Sequence, residues 1–292
     1  MPISIEEVTY LYQLNTPFER TALRDVNVFI PSGALVAFLG HTGSGKSTLV
    51  QHMNGLLRPT KGRVVVDDIT VRAITKRRDK KQSLLPLRRR VGLVFQYPEH
   101  QLFEETVERD VMFGPRNFGA TEAESKERAH AALRLVGLDE TLWDRSPFDL
   151  SGGQMRRVAI AGVLASRPDV LVVDEPTAGL DPLGRQDMLA LFKRLKEELD
   201  LTLILVSHDM DDVLTYAERV VVMEQGQVAF DGDPFELFKD ESLVRSLQLD
   251  IPNVLRLALE LAPTFGVEPP SLRTEVELAD WIAAELRKGG AI

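Results

Sequence analysis

An apolar run meets a glycine-rich turn in the stretch Ala34-Leu35-Val36-Ala37-Phe38-Leu39-Gly40-His41-Thr42-Gly43-Ser44-Gly45-Lys46-Ser47-Thr48. The turn has the pattern G-x-x-x-x-G-K-[ST], which is typical of a phosphate-binding P-loop between a buried strand and a helix. Its glycines let successive backbone N–H groups face phosphate oxygens, and the helix that begins near Lys46 adds the positive end of its dipole. In such loops the lysine reaches the β- and γ-phosphates, and the next hydroxyl, here Ser47, ligates Mg²⁺. We therefore predict a nucleotide site over residues 40 to 48.

The composition excludes several classes of protein. At 292 residues, with 44% hydrophobic and 27% charged residues, the chain has the ordinary make-up of a folded protein with one large domain or two smaller ones. It contains no cysteine, which excludes disulfides and thiolate metal sites and fits a reducing cytoplasm. The net charge of -9 argues against general nucleic-acid binding, because such proteins usually carry an excess of Lys and Arg.

No targeting or membrane-spanning segment is evident in the sequence. The N-terminus lacks the basic-then-apolar pattern of a signal peptide, and no apolar run approaches the roughly 18 residues that a spanning helix needs. We therefore expect any association with a membrane to occur through partners.

Strand patterns alternate with helical patterns along much of the chain. Residues 3 to 30 favour antiparallel strands, with Tyr10 and Tyr12 expected in a loop between them. Continuous apolar runs predict buried strands of a parallel sheet at residues 91–95, 170–173 and 201–206. This alternation predicts an α/β domain whose ligand lies at the carboxyl ends of the strands.

The helical patterns divide the chain further. Residues 97–165 predict a helical subdomain inserted into the strand-rich core, where Thr121 and Glu124 match a capping box. Beyond Pro234 the pattern changes to short helices. We therefore predict a large domain at 1–235 and a small helical appendage at 236–292.

A run of basic residues lies between residues 76 and 90, just before the strand predicted at 91–95. It consists of Lys76, Arg77, Arg78, Lys80, Lys81, Arg88, Arg89 and Arg90. Such a run is usually a solvated face, and contact with an acidic partner or lipid headgroups is the alternative. The sequence leaves both interpretations open.

Polar residues follow three of the predicted strands. Asp174 stands where P-loop enzymes place the carboxylate that holds Mg²⁺, and Glu175 is positioned to polarise the attacking water. Gln96 is a candidate contact for both metal and γ-phosphate, and His208 a candidate contact for the γ-phosphate and Glu175. Ahead of the P-loop, Tyr12 is a candidate to stack on adenine. The plainer alternatives are solubilising or strand-ending polar residues, a structural histidine and a tyrosine that covers the sheet edge.

A second glycine motif, Leu150-Ser151-Gly152-Gly153-Gln154, opens a predicted helix and offers an anion site of the helix-terminus kind. A simple serine N-cap is the alternative. With this motif the sequence resembles the nucleotide-binding subunits of ATP-binding cassette (ABC) ATPases over roughly residues 1 to 235. The family's pieces occur in order: Tyr12, Gly40 to Thr48, Gln96, Leu150 to Gln154, Asp174 and Glu175, Ala178-Gly179-Leu180-Asp181, and His208.

The resemblance implies a RecA-like P-loop core with an antiparallel β-subdomain, an inserted helical signature subdomain and a small C-terminal helical domain. It also implies that ATP and Mg²⁺ are bound by one subunit while Ser151 to Gln154 of a second subunit, a paralogue or another copy, close over the γ-phosphate. Lys46, Glu175 and His208 would then act in hydrolysis, Ser47, Gln96 and Asp174 would hold the metal, and Asp181 would line the interface. Closure would last only while the γ-phosphate does.

Within this family, residues 92 to 107 and Phe113-Gly114-Pro115 look like the energy-coupling factor (ECF) importers of vitamins and transition-metal ions. The C-terminal appendage, which supports dimerisation in that group, points the same way. The insert Asn15-Thr16-Pro17-Phe18-Glu19 is similar to the second of two paralogous ATPases in such systems. The resemblance implies a transmembrane coupling subunit, a substrate-binding membrane subunit and a place at the cytoplasmic face of the cell membrane. Glu99, Gln101 and Phe103 would lie where the coupling subunit docks.

Two alternatives remain within the ABC family. A soluble ATPase that acts on DNA or ribosomes is disfavoured, because residues 49 to 149 leave no room for a long coiled coil and the chain has one cassette. Another importer class is disfavoured by residues 97 to 105 and the C-terminal helices. The transported substrate and the choice between homodimer and heterodimer are not encoded in a recognisable way.

Overall fold

The computed structural model describes residues 1–73 and 82–288, so the basic residues from Lys76 to Lys81 lie outside it. The strands are β1 (Ile3–Tyr12), β2 (Arg20–Ile30), β3 (Leu35–Leu39), β4 (Lys61–Val66), β5 (Ile69–Arg72), β6 (Val91–Val94), β7 (Val170–Asp174), β8 (Thr202–Val206), β9 (Arg219–Glu224) and β10 (Gln227–Gly232). The α-helices are α1 (Lys46–Met53), α2 (Leu85–Arg90), α3 (Val107–Asn117), α4 (Glu122–Leu135), α5 (Gly152–Leu164), α6 (Pro182–Leu199), α7 (Met210–Tyr216), α8 (Pro234–Lys239), α9 (Glu241–Ser246), α10 (Asn253–Phe265) and α11 (Glu275–Lys288).

A six-stranded sheet in the order β10-β9-β3-β8-β7-β6 carries the fold. Its strands run parallel except for β10, which returns antiparallel to β9 as a hairpin. Every residue of β3, β7 and β8 is buried, as continuous apolar runs inside a parallel sheet predict. Because the strands are parallel, the residues that follow β3, β6, β7 and β8 all lie along one edge of the sheet.

The central strand β3 shows how the sheet divides the core. Leu35, Ala37 and Leu39 pack into a cluster with the helices of the inserted region, whereas Val36 and Phe38 pack into a second cluster with the β-subdomain and α1. Successive side chains of a strand point to opposite faces, so one apolar run serves both clusters. The predicted α/β fold is confirmed.

A second, four-stranded antiparallel sheet has the order β2-β1-β4-β5. The expected loop position of Tyr10 and Tyr12 is wrong, since both residues lie in β1. The register between β1 and β2 shifts at Val8 and again at Tyr10, and Glu7 has a φ of 50°. These bulges interrupt the period-two alternation by which a strand is recognised in sequence.

The inserted region contains helices α3 to α5, and the predicted capping box of Thr121 and Glu124 begins α4. In the C-terminal region, side chains of α8 and α9 such as Phe238 and Val244 belong to the main core, while Ala258 and Leu278 belong to a small separate cluster. The boundary at residue 235 stays a prediction. Across residues 1–73 and 82–288, no helix combines the length and the apolar character needed to cross a bilayer.

Candidate functional site

The P-loop turn from β3 into α1 depends on glycine. Gly40, Gly43 and Gly45 have positive φ angles of 136°, 84° and 107°. A Cβ atom on Gly40 would lie 2.2 Å from the carbonyl oxygen of Met223, and one on Gly45 would lie 2.8 Å from that of Ala22. The loop therefore packs closely against neighbouring backbone, in a backbone conformation that residues with a side chain rarely adopt.

The Lys46 ammonium group is held inside this loop. Its Nζ donates hydrogen bonds to the carbonyl oxygens of Gly40 and His41, and the residue is 6% exposed. Burial lowers the pKa of Lys46, and the charges of Glu175 and Asp174 oppose that effect. A cation with little water around it is thus held within the loop that lines the cleft.

Three strand ends bring Gln96, Glu175 and His208 together. The Gln96 Nε2 donates to Glu175 Oε2 at 2.7 Å, and His208 Nδ1 lies 3.6 Å from the same oxygen. The backbone N–H of Glu175 donates to the carbonyl of Val206 on the neighbouring strand, and Glu175 has a φ of 48°. His208 is 68% exposed and is free to contact a ligand above the cleft.

Asp174 lies one residue earlier, at the buried end of β7. Burial raises its pKa, while a hydrogen bond from Ser47 and the charge of Lys46 lower it. One carboxylate and one hydroxyl are the hard oxygen ligands that Mg²⁺ uses when substrate phosphates and water complete its shell, and Gln96 lines the same cleft as Ser47. The donor set fits that metal, and over the described ranges no group of three His, Asp or Glu residues forms a metal cage.

A cleft of about 380 Å³ lies over the P-loop. It is lined by Tyr12, Arg20, Thr21, Ala22, Thr42, Gly43, Gly45, Lys46, Ser47, Thr48, Gln96 and Glu175. The Tyr12 hydroxyl is 3.1 Å from Thr48 Oγ1, and the Tyr10 ring meets the Tyr12 ring edge-on at 4.9 Å. No sequence motif identifies residues 20 to 22 as part of the cleft. They lie here because β2 packs beside the P-loop in the folded chain.

The second glycine motif and Asp181 lie outside this cleft. Ser151 accepts a hydrogen bond from the N–H of Gln154, whose side chain accepts one from the N–H of Ser151, so the two form a capping box for α5. Asp181 accepts from the N–H of Gly184 and caps α6. A Cβ atom on Gly152 or Gly153 would meet nothing within 4 Å among residues 1–73 and 82–288, so no contact in this part of the chain requires glycine there.

Comparisons with known proteins agree on one family. The ABC transporter family matches residues 23–178. The energy-coupling factor transporter ATP-binding protein EcfA2 of Lactiplantibacillus plantarum is 56% identical over 286 residues, which are 98% of this chain and 96% of that protein.

Solved structures agree with that result. The structure of cbiO1 from Clostridium perfringens, part of the ABC transporter complex cbiONQ, is 39% identical with a TM-score of 0.70, over 87% of this chain and 97% of that one. The dimeric post-hydrolysis state of the ATP-binding cassette MJ0796, bound to ADP and phosphate, is 32% identical with a TM-score of 0.68, over 80% of this chain and 98% of that one.

Proposed function

Since this chain belongs to the ABC transporter family and, within it, to the energy-coupling factor transporter ATP-binding proteins, we propose that it hydrolyses ATP between two ATPase subunits to drive an importer of vitamins or transition-metal ions. The family membership confirms the predicted ABC ATPase whose hydrolysis is coupled to transport. One observation carries the two-subunit site: Gly152 and Gly153 face open space in their own chain. Both are exposed in the first turn of α5, where the absence of a side chain lets another molecule approach the helix N-terminus closely.

The cleft supplies one half of the site. The Lys46 ammonium exchanges its bonds to loop carbonyls for bonds to the β- and γ-phosphates, which are better partners because they are charged. Glu175 accepts a proton from the attacking water, while Gln96 and His208 orient that carboxylate. Ser47, Gln96 and Asp174 would hold Mg²⁺, which would supply positive charge to the phosphate oxygens.

The second half of the site comes from another subunit. Ser151 to Gln154 present the N-terminus of α5, where the N–H groups of Gly152 and Gly153, which the capping box does not use, and the helix dipole suit an anion. Asp181, at the start of α6, lies beside this interface. The second subunit is a paralogue or another copy of this chain, and the appendage at 236–292 supports the dimer.

Membrane association follows from the family, because an ECF ATPase works with other ECF subunits. We assign the chain to the cytoplasmic face of the cell membrane, with a transmembrane coupling subunit and a substrate-binding subunit as partners. Segment 97–103, which follows Gln96, is the docking segment for the coupling subunit. Its exposed Phe103 packs edge-on against exposed Phe113 at 4.9 Å, which leaves an aromatic surface uncovered in this chain.

Purification from membranes tests this assignment. A tagged chain extracted in mild detergent is expected to bring along a second ATPase and two small membrane proteins. Recovery with ribosomes or DNA, and without membrane proteins, would instead favour a soluble ABC ATPase.

Replacing Tyr12 tests the adenine contact. Stacking on an aromatic ring is worth about 1–3 kcal/mol, so Tyr12→Ala is expected to raise the KM for ATP about tenfold with little change in kcat. Tyr12→Phe is the matched control, since it keeps the ring and removes only the hydroxyl that contacts Thr48. An unchanged KM in a folded Tyr12→Ala protein would refute the contact.

Replacing Phe103 tests the docking segment in the assembled importer. An aromatic anchor at the centre of an interface commonly contributes 2 kcal/mol or more, so Phe103→Ala is expected to lower transport by about tenfold or more. The ATPase activity of the isolated subunits should stay within about twofold, because the side chain lies outside the ATP cleft. Phe29→Ala, an equally exposed phenylalanine on β2, is the control. Equal loss of transport and basal ATPase would contradict the docking role.

A further inference from the structure

One buried guanidinium group joins three functional segments of this chain. Arg156 lies on α5, five residues after Ser151, and is 4% exposed. Its Nε and Nη2 donate to both oxygens of Glu99, at 3.1 and 2.9 Å. Its Nη1 donates to the carbonyl oxygens of Pro176 and Ala178, at 3.0 and 3.1 Å. Four hydrogen bonds therefore leave from a single side chain.

The first partner belongs to segment 97–103. Glu99 sits in the one-turn helix Pro98–Gln101, three residues after Gln96. Burial raises the pKa of Glu99, but the hydrogen bonds and charge of Arg156 outweigh it and leave the pKa below its ordinary value. Glu99 is thus ionised at neutral pH, and its planar carboxylate is held by the planar fork of Arg156.

The second pair of partners belongs to the loop that separates Glu175 from Asp181. The φ of 48° at Glu175 is uncommon for a residue with a side chain, and such a conformation persists only where its surroundings hold it. Within the loop, the N–H of Ala178 donates to the carbonyl of Glu175 at 3.1 Å. The two hydrogen bonds from Arg156, which lies on α5, hold the same loop in place from a neighbouring helix.

We propose that Arg156 is a positioning residue that links segment 97–103 to the Glu175 loop, so that displacement of that segment moves the catalytic carboxylate. This inference rests on the proposed function, because it assumes that Glu175 acts in hydrolysis. It adds to that function a residue which the ATP cleft does not contain. A guanidinium is suited to this link, since its nitrogens lie apart in one plane and can bond both oxygens of Glu99 while reaching the two carbonyls, whereas the three N–H groups of lysine leave from one nitrogen and do not reproduce the two-point bond to Glu99.

Steady-state ATPase measurements on the full chain test the link. A small misplacement of a catalytic group lowers the rate steeply, so Arg156→Lys is expected to lower kcat about tenfold and Glu99→Gln about fivefold. The KM for ATP should change less than about twofold in both, because neither side chain lines the cleft. The double variant should be no slower than Arg156→Lys alone, since both changes break one link.

Arg157→Lys is the matched control. Arg157 is the next residue on α5, and its Nη1 donates to the carbonyl of Val136, away from both segments. Its kcat should stay within about twofold of the parent. Because Arg156→Lys alters a buried site, the Tm of each variant is measured, and the partly buried Glu99→Gln variant keeps the test decisive if Arg156→Lys does not fold.

A fluorescence experiment tests transmission directly. The chain has no cysteine, so Gln101→Cys gives a single site for an environment-sensitive dye on the exposed side of segment 97–103. In a Glu175→Gln background, ATP is expected to change the dye emission in the parent and in Arg157→Lys, and to leave it unchanged in Arg156→Lys. An equal change in Arg156→Lys, or multiplicative kcat losses in the double variant, would overturn the link.

The outcomes separate this inference from the function on which it rests. If the parent chain, assayed together with the second ATPase subunit that co-purifies with it, does not hydrolyse ATP, or if Glu175→Gln hydrolyses it normally in the same assay, the proposed function fails. If those two results are as expected and Arg156→Lys behaves like Arg157→Lys, only the positioning role of Arg156 fails.

Discussion

Glu175→Gln is expected to lower ATP turnover by at least about 100-fold while ATP still binds, because a positioned general base contributes roughly 10²–10⁴-fold to rate. The amide keeps the size of the side chain, and Lys46 and the P-loop are unchanged. ATP-bound dimers should therefore accumulate, since the γ-phosphate that joins the subunits is no longer removed. Phosphate release measures the turnover, and light scattering with and without ATP measures the dimer.

A surface glutamate provides the control for this change. Glu198→Gln removes a carboxylate on α6 that pairs with Arg194 at 3.8 Å, and both side chains are about half exposed. Its turnover should equal that of the parent, because an exposed pair of this kind contributes little. Normal ATPase activity in Glu175→Gln would contradict the catalytic role of Glu175.

Gly153→Asp is expected to lower ATP turnover by about 100-fold or more without destabilising the fold. A Cβ atom at Gly153 meets nothing within 4 Å in the described part of the chain, and an acidic residue in the first turn of α5 interacts favourably with the helix dipole. The new carboxylate would, however, occupy the place and carry the charge of the γ-phosphate that the second subunit must cover. The free energy of unfolding should stay within about 1 kcal/mol of the parent value, while ATP-dependent dimers disappear.

Two further variants separate the causes. Gly153→Ala adds volume without charge and tests steric exclusion alone. Gly162→Ala lies on the same helix, also meets nothing within 4 Å, and should keep full activity. A Gly153→Asp protein that still forms ATP-dependent dimers and turns over normally would show that α5 does not complete the site.

Much of the ATP cleft could be predicted because its signals are local. The P-loop backbone has positive φ angles at positions 40 and 45, which favour glycine. Both positions lie at a fixed number of residues before Lys46, so the motif can be recognised in the sequence. Capping boxes join residues three apart, so Thr121 and Ser151 could be placed at helix starts from sequence. The strand position of Tyr12 could not, because bulges in β1 shift its alternation.

Patterns of residues close together in the sequence were thus enough to predict the ABC family, the α/β class and the site residues at the strand ends. Each of these depends on neighbours in sequence or on where parallel strands end. Contacts between distant segments needed the tertiary structure. Glu99 and Arg156 are 57 residues apart, and no periodicity predicts that one guanidinium bonds both Glu99 and the loop after Glu175. The open space at Gly153 is likewise a property of the folded surface, because only packing shows that none of residues 1–73 and 82–288 fills it.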